Sequence, residues 1–276
     1  LRIGEYHFDN DYSDDGHGLD RAISAYSKIL AMPEDRNYNL ALYKLAWSYY
    51  RASRYPEALR YFAQLVQWSD DEQARTGRAG TELRSEAIQY LAITFAYDDW
   101  NENTTPDVQE GQPTGFLRIQ DQNLLPQDRP WTLEVFQGLG NVYFEEAKYP
   151  LAIEVWRYIL AHWPTTEHAP EITNMIARAY TRNNDQEHAL STRAELANFG
   201  IGTPWYNANN EHPAEQRMGE DLAEHALIDA ATQFHARAQQ MRQRGVMERD
   251  LNVVRQAQEQ YRLAAQAYRD YIQRYP

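Results

Sequence analysis

Two stretches of this chain of 276 residues are one unit written twice. ALYKLAWSYYRASRYPEALRYFAQLV runs from Ala41 to Val66, and FQGLGNVYFEEAKYPLAIEVWRYILAHWP from Phe136 to Pro164. Superposed, Leu45-Ala46 falls on Leu139-Gly140, Tyr49 on Tyr143, Tyr55-Pro56 on Tyr149-Pro150, Ala58 on Ala152, Phe62 on Trp156 and Leu65 on Ile159. In each copy a small residue, Ala46 or Gly140, is followed twelve positions later by an alanine, Ala58 or Ala152. Two antiparallel helices joined by a short turn approach closest where Gly or Ala removes side-chain bulk, and aromatic rings fill the space beside that contact. Pro56 and Pro150 stand where the second helix starts, a place where a missing N–H costs nothing. The repeat predicts stacked helical hairpins in preference to one or two globular domains.

Weaker copies extend the pattern. Ile176-Ala177, Tyr180, Ala189 and Leu196 keep the twelve-residue interval, with Arg193 in the aromatic slot. Ile3-Gly4 pairs with Ala22, Ile23, Tyr26 and Ile29 if the acidic stretch between them lengthens the turn. Leu83 to Tyr97 reads as a first helix around Leu91-Ala92 and Phe95, with no ordinary second helix after it. Ala264, Tyr268, Tyr271 and Pro276 mark a last helix, whose partner is Ala214 to Arg244 with Phe234 as its aromatic.

On these residues the chain resembles tetratricopeptide repeat proteins, whose pattern of Leu-Gly/Ala, Tyr, Ala, an aromatic and a closing Pro the two strong copies meet almost in full. The resemblance implies an all-α fold, an α-solenoid of antiparallel helix pairs forming a superhelix with loop insertions. Six hairpins are expected, at about 1–36, 39–68, 82–130 (irregular), 131–164, 169–199 and 213–276, in one array that reads as a segment of a longer one. Their small residues, at 4, 46, 92, 140, 177 and 231, lie 37 to 54 apart, against the family's period of about 34. The excess must be inserted chain. Residues 98–130 carry Pro106, Pro113, Pro126 and Pro130, and their Phe116, Leu117, Ile119, Leu124 and Leu125 predict that the insertion docks on the helices, with a short helix in place of the absent one. A second insertion, 198–213, should be pinned by Trp205, and Trp68 to Thr81, with little to bury, should be a mobile loop.

Composition narrows the chemistry. With 27 basic against 40 acidic residues the formal charge is −13, which argues against a nucleic-acid binder. The acidity concentrates at 1–40 and 98–129, with −4 and −5. No cysteine is present, so disulfides, thiolate metal sites and cysteine nucleophiles are excluded. The longest uncharged apolar run, Tyr90 to Tyr97, is far shorter than the ~20 residues a bilayer crossing needs. The eight histidines form no i, i+4 metal pair with a neighbouring glutamate, and neither a phosphate-binding glycine loop nor a nucleophile elbow occurs. No catalytic residue, cofactor or metal is therefore expected, and the chain is read as no enzyme. Asp11 to Gly16 copies the opening of a calcium loop, but Ala22 stands where a bidentate Glu is required. That stretch is read as an acidic helix–helix turn with Asp20 as the N-cap of the following helix.

In the resembling family the first helices of the pairs line a concave wall that holds an extended peptide. Carried over by position, the wall is Tyr43, Trp47, Tyr50 and Arg51, then Gln89, Ile93 and Tyr97, then Gln137, Asn141 and Phe144, then Asn174, Arg178 and Arg182. Aromatics supply contact area, amides meet a peptide backbone, and Arg can fork a carboxylate. The family's clamp for a chaperone's acidic C-terminus is not matched, since Lys44 is one place off the helix face and Met175 stands where a base would. The connection ANFGIGTPWYNAN, Ala197 to Asn209, and the expanded spacing are similar to repeat proteins of Gram-negative cell envelopes, particularly of myxobacteria-like organisms. That resemblance implies a periplasmic or envelope-associated scaffold for a protein or peptide partner, with a cytoplasmic location as the alternative. Two other readings stay open: a small-molecule or carbohydrate pocket formed by the 98–130 insertion with Trp100, Trp131 and Tyr97, and a purely structural spacer. Exposed array ends would favour self-association.

Overall fold

The computed structural model describes residues 1–11 and 16–275; residues 12–15, and with them the reading of Asp11 to Gly16 as an acidic turn in preference to a calcium loop, lie outside them. Among the described residues the regular structure is helical, without strands: α1 (Arg2–Asp9), α2 (Gly18–Leu30), α3 (Tyr38–Arg51), α4 (Tyr55–Thr76), α5 (Arg84–Ala96), α6 (Gly115–Ile119), α7 (Thr132–Glu145), α8 (Tyr149–His162), α9 (Ala169–Arg182), α10 (Gln186–Glu195), α11 (Pro204–Ala208), α12 (Pro213–Glu248) and α13 (Leu251–Arg274). They form an all-α solenoid of helix pairs. The chain divides into two compact units, Leu1–Val155 and Trp156–Pro276, with the boundary inside α8.

The same turn joins the helices of three pairs. Ser53, Ala147 and Asn184 each take a left-handed conformation, with φ of 55, 58 and 61°. The following amide reaches back to a tyrosine carbonyl in each case: Arg54 to Tyr49 at 2.9 Å, Lys148 to Tyr143 at 2.8 Å, Asp185 to Tyr180 at 2.9 Å. This left-handed closure satisfies carbonyls that a helix end would leave unpaired. The turn between α12 and α13 repeats it with Arg249 at φ 54° and the Asp250 amide on Gly245 O at 2.8 Å. A Cβ in this conformation is strained by roughly 1 kcal/mol, so Ala147→Gly is expected to raise stability by several tenths of a kcal/mol after the loss of unfolded-state restriction. Urea unfolding midpoints of the two proteins check it.

In the first unit the core runs between successive helices, through Ala22, Leu42, Leu45, Ala46, Ala58, Leu59, Phe62, Leu65, Leu91, Ala92, Phe95 and Leu139, all without exposure. Gly4 is there because a Cβ would lie 2.7 Å from Cζ of the buried Tyr26. Gly138, which the repeat pattern does not mark, lets α7 cross α5, since a Cβ would stand 2.8 Å from Ala92 Cβ.

Two local expectations fail. Residues 68–76 are no loop: α4 continues through them to Thr76, because Ser69 is buried, the Trp68 ring lies 6.3 Å from that of Tyr38, and Asp70 pairs with Arg84. Nor is Asp20 the cap of α2. His17 holds that position, and one early amide finds its acceptor in Asp11, whose Oδ1 takes the Leu19 N–H at 3.0 Å.

In the second unit Trp205 is buried with Ala169, Leu196, Phe199 and Ala226, and its Nε1 donates to Thr166 O at 2.7 Å. Gly219 makes room for that indole, 2.7 Å from a built Cβ. Arg157 forks Glu195 at 2.6 and 3.0 Å, tying α8 to α10. The long α12 and α13 pair antiparallel through small residues at sevenfold spacing: Ala231, Ala238 and Gly245 on one, Ala257 and Ala264 on the other, all buried. A seven-residue stripe of small side chains keeps one seam facing the partner helix at close range.

Candidate binding face

Three of the predicted wall residues meet in one aromatic cluster. The Trp47 ring lies 6.4 Å from that of Tyr43, 5.5 Å from Tyr50 and 4.3 Å from Tyr90 of the next first helix. Phe62 of α4 closes the cluster from behind, stacked on Tyr90 at 5.8 Å. Tyr43, Trp47, Tyr50 and Tyr90 are half-buried, so each side chain spends part of its surface on a neighbour and keeps part exposed. Tyr90 sits two places before the small residue Ala92, where α3 carries Lys44, so its position in the repeat does not mark it as a wall residue.

The cluster shifts its own ionisation. Burial, followed by a 2.6 Å hydrogen bond donated to Glu86 Oε1, pushes the Tyr43 phenol up to about 12. Burial does the same to Tyr55 and, on α7, to Tyr143, each to about 12. These phenols keep in the folded state a proton that the unfolded chain loses near pH 10, so their contribution is complete below pH 10 and is lost as pH rises towards 12. Melting temperature should fall steeply across that interval, together with the rise of tyrosinate absorbance.

The other predicted residues divide by what they touch. Arg51 is held on α1, with Nη1 donating to Phe8 O at 2.8 Å and the guanidinium 4.4 Å from the Phe8 ring. Tyr97 packs at 5.3 Å on Tyr55, and its carbonyl accepts from Arg118. Phe144 lies 5.4 Å from Tyr149, at the turn into α8. On α5 and α7, Gln89 and Asn141 are exposed, with Ile93 and Gln137 half-buried. Asn174, Arg178 and Arg182 belong to α9 of the second unit, where Asn174 is half-buried, Arg182 is exposed, and Arg178 Nη1 lies 3.2 Å from Met175 Sδ.

Residues 98–130 take the place of the absent second helix. A 3-10 turn (Asp107–Glu110) and α6 form within them. Their centre is a buried ion pair of Asp107 with Arg118 Nη2. Asp107 Oδ2 also accepts the Trp100 N–H at 2.9 Å, Arg118 Nη1 donates to Tyr97 O at 3.0 Å, and the guanidinium lies 4.2 Å from the Trp100 ring. Trp100 Nε1 fixes this knot to α5 through Thr94 O at 3.1 Å, and Trp131 Nε1 reaches Gln67 of α4 at 3.1 Å. The insertion thus packs against the end of α5 and Tyr143 of α7, Trp131 just after it is tied to α4, and Gln89 and Asn141 stay open to solvent. An open hollow of about 570 Å³ lies over Trp100, Arg118 and Leu117. Trp131 is 1% exposed, so its ring is no stacking platform for a sugar. Among the described residues, no group of three or more His, Asp or Glu side chains is placed to hold a metal ion, and no helix is long and apolar enough to cross a membrane.

Comparison with known proteins gives one family match and distant likenesses. No curated protein matches the chain. Among solved structures it is similar to the Rap conjugation gene regulator of the plasmid pLS20, in complex with the Phr peptide, at 15% identity and a TM-score of 0.29 over 98% of this chain and 73% of that one. It is also similar to the TPR2AB domain of yeast Sti1 in its pHSP90 complex, at 15% identity and a TM-score of 0.26 over 95% of this chain and 97% of that one. Residues 40–67, which hold α4 up to Gln67 and nearly all of α3, match the tetratricopeptide repeat family model, and the chain therefore carries a tetratricopeptide repeat there.

Proposed function

We propose that this protein is a non-enzymatic scaffold that holds an extended peptide segment of a protein partner on the face formed by α3, α5 and α7. The supporting observation is the exposure of Gln89 and Asn141 beside half-buried Ile93 and Gln137, next to a half-buried aromatic cluster. Side-chain amides on successive first helices can pair with a peptide backbone, and apolar neighbours can take its alternate side chains. No carboxylate clamp is involved, because Arg51 is spent on α1. The setting we propose is an assembly of a bacterial cell envelope, in line with the resemblance of the Ala197 to Asn209 connection. Self-association through α1, where Ile3 and Tyr6 are 70% and 61% exposed, is part of the same proposal.

Peptides selected from a random display library against the purified chain test the face. The double variant Gln89→Arg/Asn141→Arg should weaken their binding at least about tenfold, since two amide contacts are lost and two bulky cations occupy the path. Both residues are exposed, so the melting temperature should not move. Undiminished binding would transfer the site to another face.

A further inference from the structure

Within the second unit and among the described residues, the contacts that hold the α12/α13 hairpin lie at one of its ends. Ala226 belongs to the buried cluster around Trp205, Tyr271 donates to Glu224 Oε1 at 2.9 Å, and Arg274 Nη1 to Ala197 O at 3.1 Å. Beyond Ala226 the buried residues of α12 are Ala231, Ala238 and Gly245, of which Gly245 lies against Val254 of α13, 2.8 Å from a built Cβ. At ~1.5 Å per residue the turn of the hairpin stands roughly 30 Å from the anchor.

That apex is apolar and cationic at once. Val246, Met247 and Leu251 are 64%, 85% and 73% exposed within six consecutive positions. Arg242 lies one helical turn below Val246 on the same face, and Arg255 one turn beyond Leu251, with Arg249 in the turn itself. All three arginines are exposed, and none has a partner among the described residues. The apical carboxylates are engaged: Glu248 pairs with Arg244 at 3.0 Å, and Asp250 caps α13 through the Asn252 and Val253 amides. A chain of net charge −13 thus carries a hairpin apex, residues 242–255, of net charge +2 around three large apolar side chains.

We infer that the hairpin apex docks on an anionic lipid membrane surface, with Val246, Met247 and Leu251 entering the headgroup layer and Arg242, Arg249 and Arg255 pairing with lipid phosphates. A hairpin turn with its large side chains exposed offers no groove to a peptide, whereas a bilayer interface accepts such a turn without a shaped complement. Apolar insertion or charge alone gives marginal attachment, and the apex supplies both. The contact lies on the bilayer and does not cross it, and it is independent of the face proposed for peptide binding.

Cosedimentation of the chain with vesicles tests this. Binding is expected to vesicles of mixed phosphatidylglycerol and phosphatidylcholine and not to phosphatidylcholine alone, and it should fall with added salt. Met247→Ser/Leu251→Ser should lower partitioning about tenfold or more, and so should Arg242→Gln/Arg249→Gln/Arg255→Gln, by loss of headgroup attraction. The altered side chains are exposed, so circular dichroism and melting temperature of both variants should match the parent. The inference is overturned if anionic vesicles do not bind the chain, if neutral vesicles bind it equally, or if either variant binds undiminished. It is equally overturned if the serine variant turns a dimer into a monomer in sedimentation without lipid, because the apex would then pair with a second copy.

Discussion

Asp107→Ala is expected to lower unfolding stability by about 3–5 kcal/mol, because it leaves a buried guanidinium without its counter-charge. Asp107 and Arg118 are 2% and 6% exposed, so water cannot replace the lost partner. The Trp100 N–H also loses its acceptor, adding to the loss. Arg118 would be left with the Tyr97 carbonyl and the Trp100 ring, neither of which neutralises it. The double change Asp107→Leu/Arg118→Met should recover most of the deficit, since replacing both members of a buried pair by apolar side chains of similar size is often close to neutral. Urea unfolding of the parent, both single variants and the double variant gives the coupling directly. A small loss in Asp107→Ala would mean that the 98–130 insertion opens independently of the helices and carries little of the cooperative fold.

Gly115→Ala is expected to cost about 3 kcal/mol, the upper part of the usual range for overpacking. A Cβ at this position meets the Phe95 carbonyl oxygen and the Tyr143 hydroxyl, and lies 2.9 Å from the Phe95 carbonyl carbon. Backbone of α5 cannot withdraw as the end of a flexible side chain would. The remaining outcome is displacement of α6 from the helices, with loss of the burial of Phe116 and Ile119, which are 8% and 0% exposed. For a chain of this size the loss corresponds to a fall in melting temperature of roughly 6–12 °C. By contrast Gly111, with φ of 76° and no atom near a built Cβ, tolerates alanine sterically and reports only the strain of a left-handed residue. Comparing the two separates close approach from backbone conformation.

Much of the helix pairing was legible in the sequence, because the small and aromatic positions of a repeat have one packing purpose. Ala46, Ala58, Leu45 and Phe62 are unexposed, and the tyrosines at 49, 143 and 180 provide the carbonyls that close the turns. What was not legible depended on contacts between distant segments. The sequence of 68–76 is polar enough to read as a loop, and it is helical because Trp68, Ser69 and Asp70 meet Tyr38, the chain near Thr81, and Arg84. The acceptor for the Leu19 amide of α2 comes from Asp11 and not from the acid nearest the helix. The candidate face was half legible: position within the repeat named Tyr43, Trp47 and Tyr50, but their joint packing on Tyr90 follows from how α5 lies against α3 and α4. Arg51, expected on the wall as a cation able to fork a carboxylate, is held instead by α1 through the Phe8 carbonyl and ring.

The sequence by itself determined that this chain pairs helices, since periodic small and aromatic residues leave few other ways to bury apolar surface. Only the tertiary structure decided how the excess length is used. The 98–130 insertion became a docked segment in place of a helix, through a buried ion pair that no local pattern announces, because Asp107 and Arg118 acquire their meaning when water is removed from around both. The long final hairpin follows the same logic in reverse. Its alanines are spent on the seam between α12 and α13, so the large apolar residues of its turn, with nothing left to pack against, remain at the surface.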